Sequence, residues 1–470
     1  MLLTLLMYGY ARGVRSARQI AKLCEVDVAF RVVCAQDAPE HSTLSRFRAA
    51  HEEAVVELFG QVLELAARAG LGRFGTVAVD GYRLAANASI DANRDEGWLR
   101  EQARRMVAEA AAVDAAEDAE LGDARGDGLP EELADPSMRA VKIRAALKEL
   151  EERKQAAAEA ADQAEAEASA AAKQRMRRIA DGKSNSPGRS RWVDEVEVAR
   201  LRLARAEADQ QAKIDADQAR RTGGQARGKT PTGRHPAPVE QFCGVRRAKE
   251  KLRRALRRQQ ARQGSGEQQQ LPKPPLRVNV TDPQSRLMPT RKGWLQGYNV
   301  QIGVTDDQLI VATRVSQHTN DLEEFIPMMA AVQQAAERFQ AAGREDAVVG
   351  VLLADAGYNT DINLAAPGPD RLIALGSGRD QQRVAAQHPT EGPPPQGATP
   401  RQAMRHRLRT LEGAAAYKRR GATVEPAIGN LKKIINGLSR HGLQAATAEI
   451  NLAAAAFNLL KIYRMAAASV

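Results

Sequence analysis

The sequence predicts an α/β protein: a mixed β-sheet with flanking helices, preceded by a helical domain and interrupted by a long helical insertion. Three observations support this fold class. Short apolar runs alternate with helical segments in the second half of the chain, which is the pattern of a layered α/β core. Aromatic residues make up only 4% of the 470 residues, and alanine is abundant, which favours helices over a β-sandwich. The stretch 95–275 is dominated by Ala, Glu, Lys and Arg, which predicts an inserted helical region.

Residues 1–70 predict consecutive amphipathic helices and therefore an N-terminal helical domain. The segment HSTLSRFRAAH (41–51) opens with a Ser/Thr cap candidate and carries Arg46 and Arg48. A short helix that displays arginines after a turn fits the recognition helix of a helix-turn-helix unit, so both arginines are predicted to bind DNA. A small bundle with solvated arginines fits the pattern equally well.

A short buried strand is predicted within FGTVAVDGY (74–82), because Val77 and Val79 alternate with smaller residues and Asp80-Gly81 is expected to end it. We expect residues 71–94 to hold this first core strand and residues 95–275 to form the basic helical insertion. Loops are predicted at DGKSNSPGRS (181–190) and RTGGQARGKTPTGRHPAP (221–238).

A basic block, VRRAKEKLRRALRRQQAR (245–262), lies near the end of the insertion. Its cations crowd one short predicted helix, which favours contact with DNA by a gripping or dimerising arm. A solvated helical hairpin is the alternative. The block residues predicted to bind DNA are Arg246, Arg247, Lys251, Arg253 and Arg254.

Residues 276–470 predict the remainder of the core. The runs 285–290, 297–305 and 309–317 look extended, with a turn at Asp306-Asp307. A helix is expected over 322–340, a buried strand over 347–355 that ends at Asp355, and another strand over 371–376. A loop at 392–400 and helix from about Tyr417 to Ala468 complete the pattern.

The formal net charge of +11 indicates an anionic partner, because lysine and arginine gain affinity by displacing counterions from phosphate. Nucleic acid is the commonest partner of that kind. The three cysteines form no C-x-x-C pair, which argues against a zinc site or a disulfide framework and fits a reducing cytoplasm. No apolar stretch reaches the length of a membrane span, so a cytoplasmic protein without a membrane partner is expected.

Two aspartates follow apolar strands, at VAVDG (Asp80) and VLLAD (Asp355). Ligands of open α/β sheets bind at the carboxyl ends of the strands. Two converging carboxylates repel each other unless a cation lies between them, and magnesium prefers carboxylates together with phosphate oxygens. The pair therefore points to phosphodiester chemistry. Turn capping by the aspartates is the alternative.

The segment YKRRGATVEPAIGNLKKIINGL (417–438) supplies a third carboxylate, Glu425, on a predicted helix. Glu425 and Lys432 are seven positions apart, two helical turns, so their side chains point from one face. Arg420 and Lys432 would meet phosphates. Alternatively, Glu425 stands in the first turn of a helix, where the helix dipole favours an acid.

These segments resemble the DDE-type transposases of bacterial insertion sequences, which use a ribonuclease-H-like core. The resemblance runs over most of the chain. Its segments are VAVDGYRLAANAS (77–89), the run from DPQSRLMPT to SQHTND (282–321), LLADAGYNT (352–360), YKRRGATVEPAIGNLKKIINGLSRHGL (417–443) and AEINLAAAAFNLLKI (448–462), with GVRSARQIAKLCEVDVAFR (13–31) and HSTLSRFR (41–48) similar to the family's helical leader.

The resemblance implies that Asp80, Asp355 and Glu425 are the catalytic, metal-binding triad. It implies two magnesium ions, for which manganese can substitute, with Asp80 bridging both and the other two acids each completing one site. Tyr417, Arg420, Glu425 and Lys432 resemble the Y-x2-R…E-x6-K signature of one branch, which implies that Tyr417, Arg420 and Lys432 contact DNA. One departure is Tyr82-Arg83, where the family usually has a small hydroxyl residue and lysine.

The implied activity is cleavage and strand transfer at transposon ends. The implied partners are the double-stranded DNA of those ends and of the target, with a homo-oligomer assembled on the DNA. The implied location is the bacterial cytoplasm, with nucleoid association when bound. Relatives carry residues before the first helix that this chain lacks, so a shortened leader is expected. An inactive DNA-binding remnant that represses transposition is therefore the alternative function. A coiled-coil structural protein would explain the insertion but not the strand-end aspartates.

Overall fold

The computed structural model describes residues 1–105, 108, 138–180, 195–226, 233–264, 275–291 and 293–468. The chain divides into two compact units. Unit 1 comprises Met1–Glu149 and Leu276–Val470, and unit 2 comprises Leu150–Pro275. The fold is mixed α/β, with 62% helix and one mixed sheet, which confirms the predicted class.

The N-terminal part of unit 1 is helical, as predicted. Its helices are α1 (Leu2–Ala11), α2 (Ala17–Val26), α3 (Val28–Val33), α4 (His41–Ala50) and α5 (Glu52–Arg68). The Ser16 side chain caps α2 and the Asp27 side chain caps α3, each accepting a hydrogen bond from a backbone N–H of the first turn. The predicted Ser/Thr cap of α4 is wrong: the N-cap is Glu40, which makes no side-chain cap bond, and Ser42 lies inside the helix.

The main sheet has six strands. They are β1 (Thr76–Ala85), β4 (Arg286–Thr290), β5 (Gly293–Thr305), β6 (Ile310–Ser316), β7 (Val351–Ala354) and β8 (Asp370–Ile373). Strand β5 pairs antiparallel with β1, β4 and β6, whereas β7 pairs parallel with both β1 and β8. The three extended runs are confirmed, and so is the turn at Asp306-Asp307. A second small sheet pairs β2 (Asn93–Asp95) with β3 (Arg277–Asn279) at the two ends of the predicted insertion.

The prediction that Asp80-Gly81 ends the first strand is wrong. Strand β1 continues to Ala85 because β5 pairs with it along the whole length, from Val77 to Ala85. Gly81 serves another purpose: a Cβ there would stand 2.2 Å from the Gln301 side-chain nitrogen, so only glycine leaves room for Gln301 to cross the strand. Asp80 therefore lies within a strand rather than at its end.

Helices cover both faces of the sheet. Helix α10 (Phe325–Ala341) packs on β5 and β6, with Met328 and Val332 against Gly303. Helix α14 (Leu411–Ile434) packs on β1, β5 and β7. Helix α15 (Leu443–Ala468) follows the edge strand β6, where the Asn458 side chain bonds both the N–H and the C=O of Ile310. This contact satisfies backbone groups that a bare edge would expose.

The strand predicted over 347–355 is only four residues long, and a short 3-10 turn, Ala356–Tyr358, follows Asp355. The remaining helices of this part are α11 (Asp361–Ala365), α12 (Gly378–Gln387) and α13 (Pro400–Arg407). The 392–400 loop is confirmed except at Pro400, which opens α13. The helix predicted from Tyr417 begins earlier, at Leu411, and a break separates α14 from α15.

Most of the insertion that the structure describes is helical, and residues 233–238 form a loop as predicted. Residues 96–105 form a helix, α6, and α7 (Met138–Ala180) follows. In unit 2, α8 (Glu195–Gln225) packs on α9 (Cys243–Gly264) through Val196, Ala199 and Ala255. The second predicted loop is wrong at its start, because residues 221–225 continue α8. The loop predicted at 181–190 lies outside the described residues.

The described helices include none that is both long and apolar enough to cross a membrane. The three cysteines are free thiols; Cys24 and Cys34 are buried in the N-terminal helices and Cys243 is exposed.

Candidate active site

Asp80 and Asp355 stand side by side on neighbouring strands. The parallel pairing of β1 with β7 sets Ala78 opposite Leu353. Two positions further along each chain, this register sets Asp80 level with Asp355, and adjacent strands are about 4.8 Å apart. Alternation along β1 places Asp80 on the face that α14 covers. The structure therefore brings together the two aspartates that the sequence singled out.

Asp80 is a half-buried carboxylate whose side chain is 18% exposed. Its Oδ1 accepts a hydrogen bond from the Gly81 backbone N–H at 2.8 Å, and its Oδ2 accepts one from Arg420 Nη1 at 2.9 Å. Burial raises the pKa of Asp80 above its usual range. Arg420 and the Gly81 N–H oppose this rise in the pKa, and the like charge of Asp355 adds to it. The protein thus compensates the charge of Asp80 only in part.

Helix α14 brings Arg420 and Tyr417 to the two aspartates. Burial lowers the pKa of Arg420, but Asp80 and Tyr417 raise it overall, so the guanidinium is a permanent cation here. Tyr417 is 5% exposed and hydrogen bonds with Arg420. Burial raises the pKa of Tyr417, so its hydroxyl stays protonated. As placed, Tyr417 contacts Arg420 rather than the surface, and its predicted contact with DNA stays a prediction.

Glu425 lies on the same helix as Arg420 and Tyr417. It is exposed, and its carboxylate folds back to within 3.2 Å of where a Cβ of Gly421 would stand. Among the residues that the structure describes, no group of three or more His, Cys, Asp or Glu side chains could hold a metal ion. The alternative of a first-turn position for Glu425 is wrong, because the helix begins fourteen residues earlier, at Leu411.

Helix α14, which carries Glu425, runs along β1 on the face where Asp80 lies. Arg419 donates a hydrogen bond to Thr76 Oγ1 at 3.1 Å, and Lys432 Nζ lies 4.8 Å from the centre of the Tyr82 ring. Asp80 lies between Thr76 and Tyr82 on β1, so α14 contacts the strand on both sides of Asp80. Glu425 and Lys432 are both exposed, so the predicted pair faces solvent.

Whether these residues fit a divalent cation can be judged from the donor set. Asp80 and Asp355 are neighbouring carboxylates of like charge, and the Arg420 guanidinium already occupies Asp80 Oδ2 as a cation. Two oxygen-donor acids beside phosphate-binding cations suit magnesium. The chemistry of the pair therefore fits a divalent cation.

The sequence analysis did not single out Asp321, whose carboxylate lies near Asp355. Asp321 lies between β6 and α10, and its Oδ2 is 3.4 Å from the point where a Cβ of Gly357 would stand. The Asp355 Oδ1 is 2.9 Å from the same point. The segment SQHTND (316–321) belongs to the family resemblance, but Asp321 does not follow a strand directly, because β6 ends at Ser316. Only the folded sheet brings it to the site.

The two arginines of α4 differ. Arg46 is exposed, as a DNA-contacting residue requires. The expectation that α4 displays Arg48 is wrong: this side chain is 7% exposed and donates hydrogen bonds to the Arg15 carbonyl at 3.3 Å and the Tyr10 hydroxyl at 3.5 Å. Arg48 is held inward by acceptors on α1 and on the loop between α1 and α2, which a pattern within one helix does not reveal.

The basic helix α9 has one apolar and one charged face. Ala255, Leu252 and Leu256 pack toward α8, and most of the cations are exposed. Arg254 pairs with Glu250 on its own helix, at an exposed position where such a pair contributes little. Within the described residues, no ion pair engages the other predicted DNA contacts of this helix, namely Arg246, Arg247, Lys251 and Arg253.

Comparison with known proteins gives two matches to family models. Residues 1–50 match a transposase domain (DUF772), and residues 394–463 match a transposase DDE domain. The second match contains Tyr417, Arg420, Glu425 and Lys432. No curated protein and no solved structure matches the chain. The two matches support a DDE-type transposase of insertion sequences.

Proposed function

We propose that this transposase cleaves DNA and transfers its strands at transposon ends in a metal-dependent reaction, with Asp80 and Asp355 as the central metal ligands. The observation that carries the proposal is the pairing register that sets these two carboxylates level on adjacent strands. The strand order supports a ribonuclease-H-like core: three antiparallel strands, β6, β5 and β1, continue into the parallel strands β7 and β8.

Magnesium bound between the aspartates would neutralise the charge that develops on the scissile phosphate and activate the attacking oxygen. Manganese could take its place. The chain's own residues hold and orient the substrate. Arg420 would exchange the carboxylate of Asp80 for a phosphate of the bound DNA, which frees Asp80 Oδ2. Lys432 and Tyr417 would contact the same strand from α14.

Glu425 is proposed as the third metal-binding acid. Its helix lies along β1 between contacts at Thr76 and Tyr82, which favours a position near Asp80. The exposed carboxylate is free to reorient when Arg420 leaves Asp80 for the DNA. The proposal therefore assigns the complete triad to the DNA-bound protein.

Double-stranded DNA is the proposed partner of the rest of the chain as well. We assign residues 1–70 to a DNA-binding helical domain, residues 71–94 to the first core strand and its sequel, residues 95–275 to a basic insertion that grips phosphates, and residues 276–470 to the remainder of the core. Catalysis by a homo-oligomer assembled on the DNA, in the nucleoid, completes the proposal.

The catalytic proposal is tested with DNA duplexes taken from both flanks of the gene. Asp355→Asn keeps the shape of the side chain but removes the charge that holds a cation, so nicking in magnesium should fall by about 10³-fold or more. Binding of the same duplexes should stay constant or tighten, because repulsion between carboxylate and phosphate is relieved. Asp370→Asn is the matched control, since Asp370 also pairs with an arginine but lies away from Asp355, at the start of β8.

One result would favour the alternative function, a DNA-binding repressor of transposition. In that case the wild-type protein binds the flanking duplexes but does not nick them in magnesium or in manganese.

The role of α9 is tested separately. Reversing the charges of Arg246, Arg247, Lys251 and Arg253 should weaken binding to every duplex alike. It should also reduce the log–log salt dependence by roughly one unit for each phosphate that the helix no longer binds. Unchanged affinity and slope would show that α9 is a solvated face.

A further inference from the structure

Asp321 collects an unusual number of hydrogen-bond donors on one carboxylate oxygen. Its Oδ1 accepts from Gln301 Nε2 at 2.7 Å, from Asn299 Nδ2 at 2.8 Å and from Arg83 Nη1 at 3.1 Å. Arg83 also donates to the Thr319 carbonyl at 2.9 Å. The donors come from β1 and β5, so Asp321 ties the segment after β6 to two strands of the sheet.

The other oxygen of Asp321 faces Asp355 across Gly357. The two carboxylate oxygens lie 3.4 Å and 2.9 Å from the position of a Gly357 Cβ, and the Gly357 N–H donates to Asp355 Oδ1 at 2.7 Å. Any side chain at position 357 would enter the gap between the two acids. Glycine is therefore required for the Asp355 carboxylate to keep this orientation beside Asp321.

A second link joins Asp321 to the same turn. The Tyr358 hydroxyl donates to Gln301 Oε1, the same amide group whose nitrogen donates to Asp321. Gln301 and Tyr358 are fully buried. Asn363 Nδ2 donates both to the Tyr358 carbonyl at 2.8 Å and to the Leu322 carbonyl at 2.7 Å, which fastens the turn to the Asp321 segment.

We propose that Asp321 is a positioning residue of the active site: it fixes the Asp355–Tyr358 turn on the sheet, and it offsets the positive charge of Arg83 near Asp355. The inference rests on the proposed function, because it assumes that Asp355 binds a cation. Asp321 acts through Asp355, and no contact of Asp321 with the substrate is required.

The charge argument predicts opposite effects for the two partners. Without the Asp321 charge, the Arg83 guanidinium repels a cation from Asp355. Without Arg83, the Asp321 charge attracts one. The Arg83 and Asp321 side chains are only 18% and 21% exposed, and partly buried charges are screened less than exposed ones, so each change should be measurable at ordinary ionic strength.

The test compares the intact wild-type chain with Asp321→Asn, Arg83→Gln, the double variant and Asp370→Asn as the control. Manganese binding to the DNA-free protein is titrated calorimetrically, thermal unfolding is recorded, and amide hydrogen exchange is followed at residues 355–358. We expect Asp321→Asn to weaken manganese binding about tenfold and Arg83→Gln to strengthen it severalfold. The double variant should return to within about threefold of the wild type, and Asp370→Asn should match the wild type.

Hydrogen exchange reports on positioning without any metal. In Asp321→Asn, the Gly357 and Tyr358 amides should exchange about tenfold faster, with no change in the other strands or in Asp370→Asn. If both single variants weaken manganese binding and the double variant does not recover, the charge role is wrong. If exchange of the turn is unchanged in Asp321→Asn, the positioning role is wrong. If the wild-type protein binds no manganese, the proposed cation site fails, while exchange still decides the positioning role.

Discussion

Aspartates toward the two ends of the main sheet have pKa values that the protein shifts in opposite directions. At one end are Asp80 and Asp355; at the other are Asp307, in the turn between β5 and β6, and Asp370, the first residue of β8. Burial raises the pKa of Asp80, and Arg420 does not fully reverse that rise. Burial also acts on Asp307 and Asp370, but hydrogen bonds lower the pKa of both below the usual range.

The difference lies in the donors. Asp307 accepts from the backbone N–H groups of Gly72 and Arg73 at 2.9 and 3.1 Å and from the Thr305 hydroxyl at 2.6 Å. Those donors are fixed by the fold, and they satisfy the charge. Asp80 receives one backbone N–H and one arginine, and it has another carboxylate beside it. The protein's own donors thus satisfy Asp307, whereas Asp80, the proposed metal ligand, is satisfied only in part, which is the pattern of a candidate functional site.

The largest expected effect is on DNA nicking, which should depend on Asp80 but not on Asp307. Asp80→Asn should lower DNA nicking in magnesium by about 10³-fold or more, because the proposed ligand charge is removed. Asp307→Asn should leave nicking by the folded protein within about threefold of the wild type, since Asp307 lies away from the site. Measured rates must be divided by the folded fraction from circular dichroism. Equal losses in both variants would break the comparison.

The free energy of unfolding should fall more in Asp307→Asn than in Asp80→Asn, the reverse of the order for activity. Asp307→Asn replaces a charged acceptor of three hydrogen bonds by an amide, which should lower the free energy of unfolding by roughly 1–3 kcal/mol at pH 7. The folded-state pKa of Asp307 is lower than the unfolded one. Its stabilising contribution is therefore present above the unfolded value of about 3.9 and is lost as the pH falls through the folded-state value. Urea unfolding at pH 7 and pH 3 should show the difference between variants narrowing. A constant difference would point to packing instead.

A smaller effect is expected at Asp370, whose pair with Arg407 is partly exposed. Both guanidinium nitrogens contact the carboxylate, and the side chains are 36% and 45% exposed. Solvent screens such a pair, so Arg407→Gln should lower the free energy of unfolding by about 0.5–1 kcal/mol. The loss should shrink in 1 M salt. Urea titrations at low and high salt provide the measurement, and a salt-independent loss would show that packing of the arginine stem matters more.

Much of this architecture could be predicted from the sequence. Strands β5 and β6 and the turn at Asp306-Asp307 were visible, because apolar runs are separated by a short polar turn. The level pairing of Asp80 with Asp355 agrees with the prediction that the two aspartates converge, although Asp80 lies within β1 rather than at its end. Local patterns suffice where the determinants lie within about ten residues.

The remainder depends on contacts between distant segments. Strand β1 passes Gly81 because β5, more than 200 residues later, pairs with it. Arg48 is buried because its acceptors lie on α1 and on the loop that follows it. Asp321 was missed because its hydrogen-bond donors stand on β1 and β5. In each case a partner far away in the chain decides the outcome.

The smallest expected effect tests whether Arg420 and the Gly81 N–H compensate the buried charge of Asp80 only in part. Because the folded-state pKa of Asp80 is raised above the unfolded value, its protonated form is favoured in the folded protein. The contribution to stability is fully present below the unfolded pKa and is lost as the pH rises through the folded-state pKa, so ionised Asp80 destabilises the protein at pH 7. Asp80→Asn does not titrate, and it should be more stable than the wild type at pH 7 by a few tenths of a kcal/mol. The gain is small because Arg420 loses its partner. It should vanish as the pH falls toward 4, measured by urea unfolding in metal-free buffer. A less stable variant at pH 7 would mean that Arg420 completes Asp80 as fully as the backbone completes Asp307, and the contrast between the two ends would then disappear.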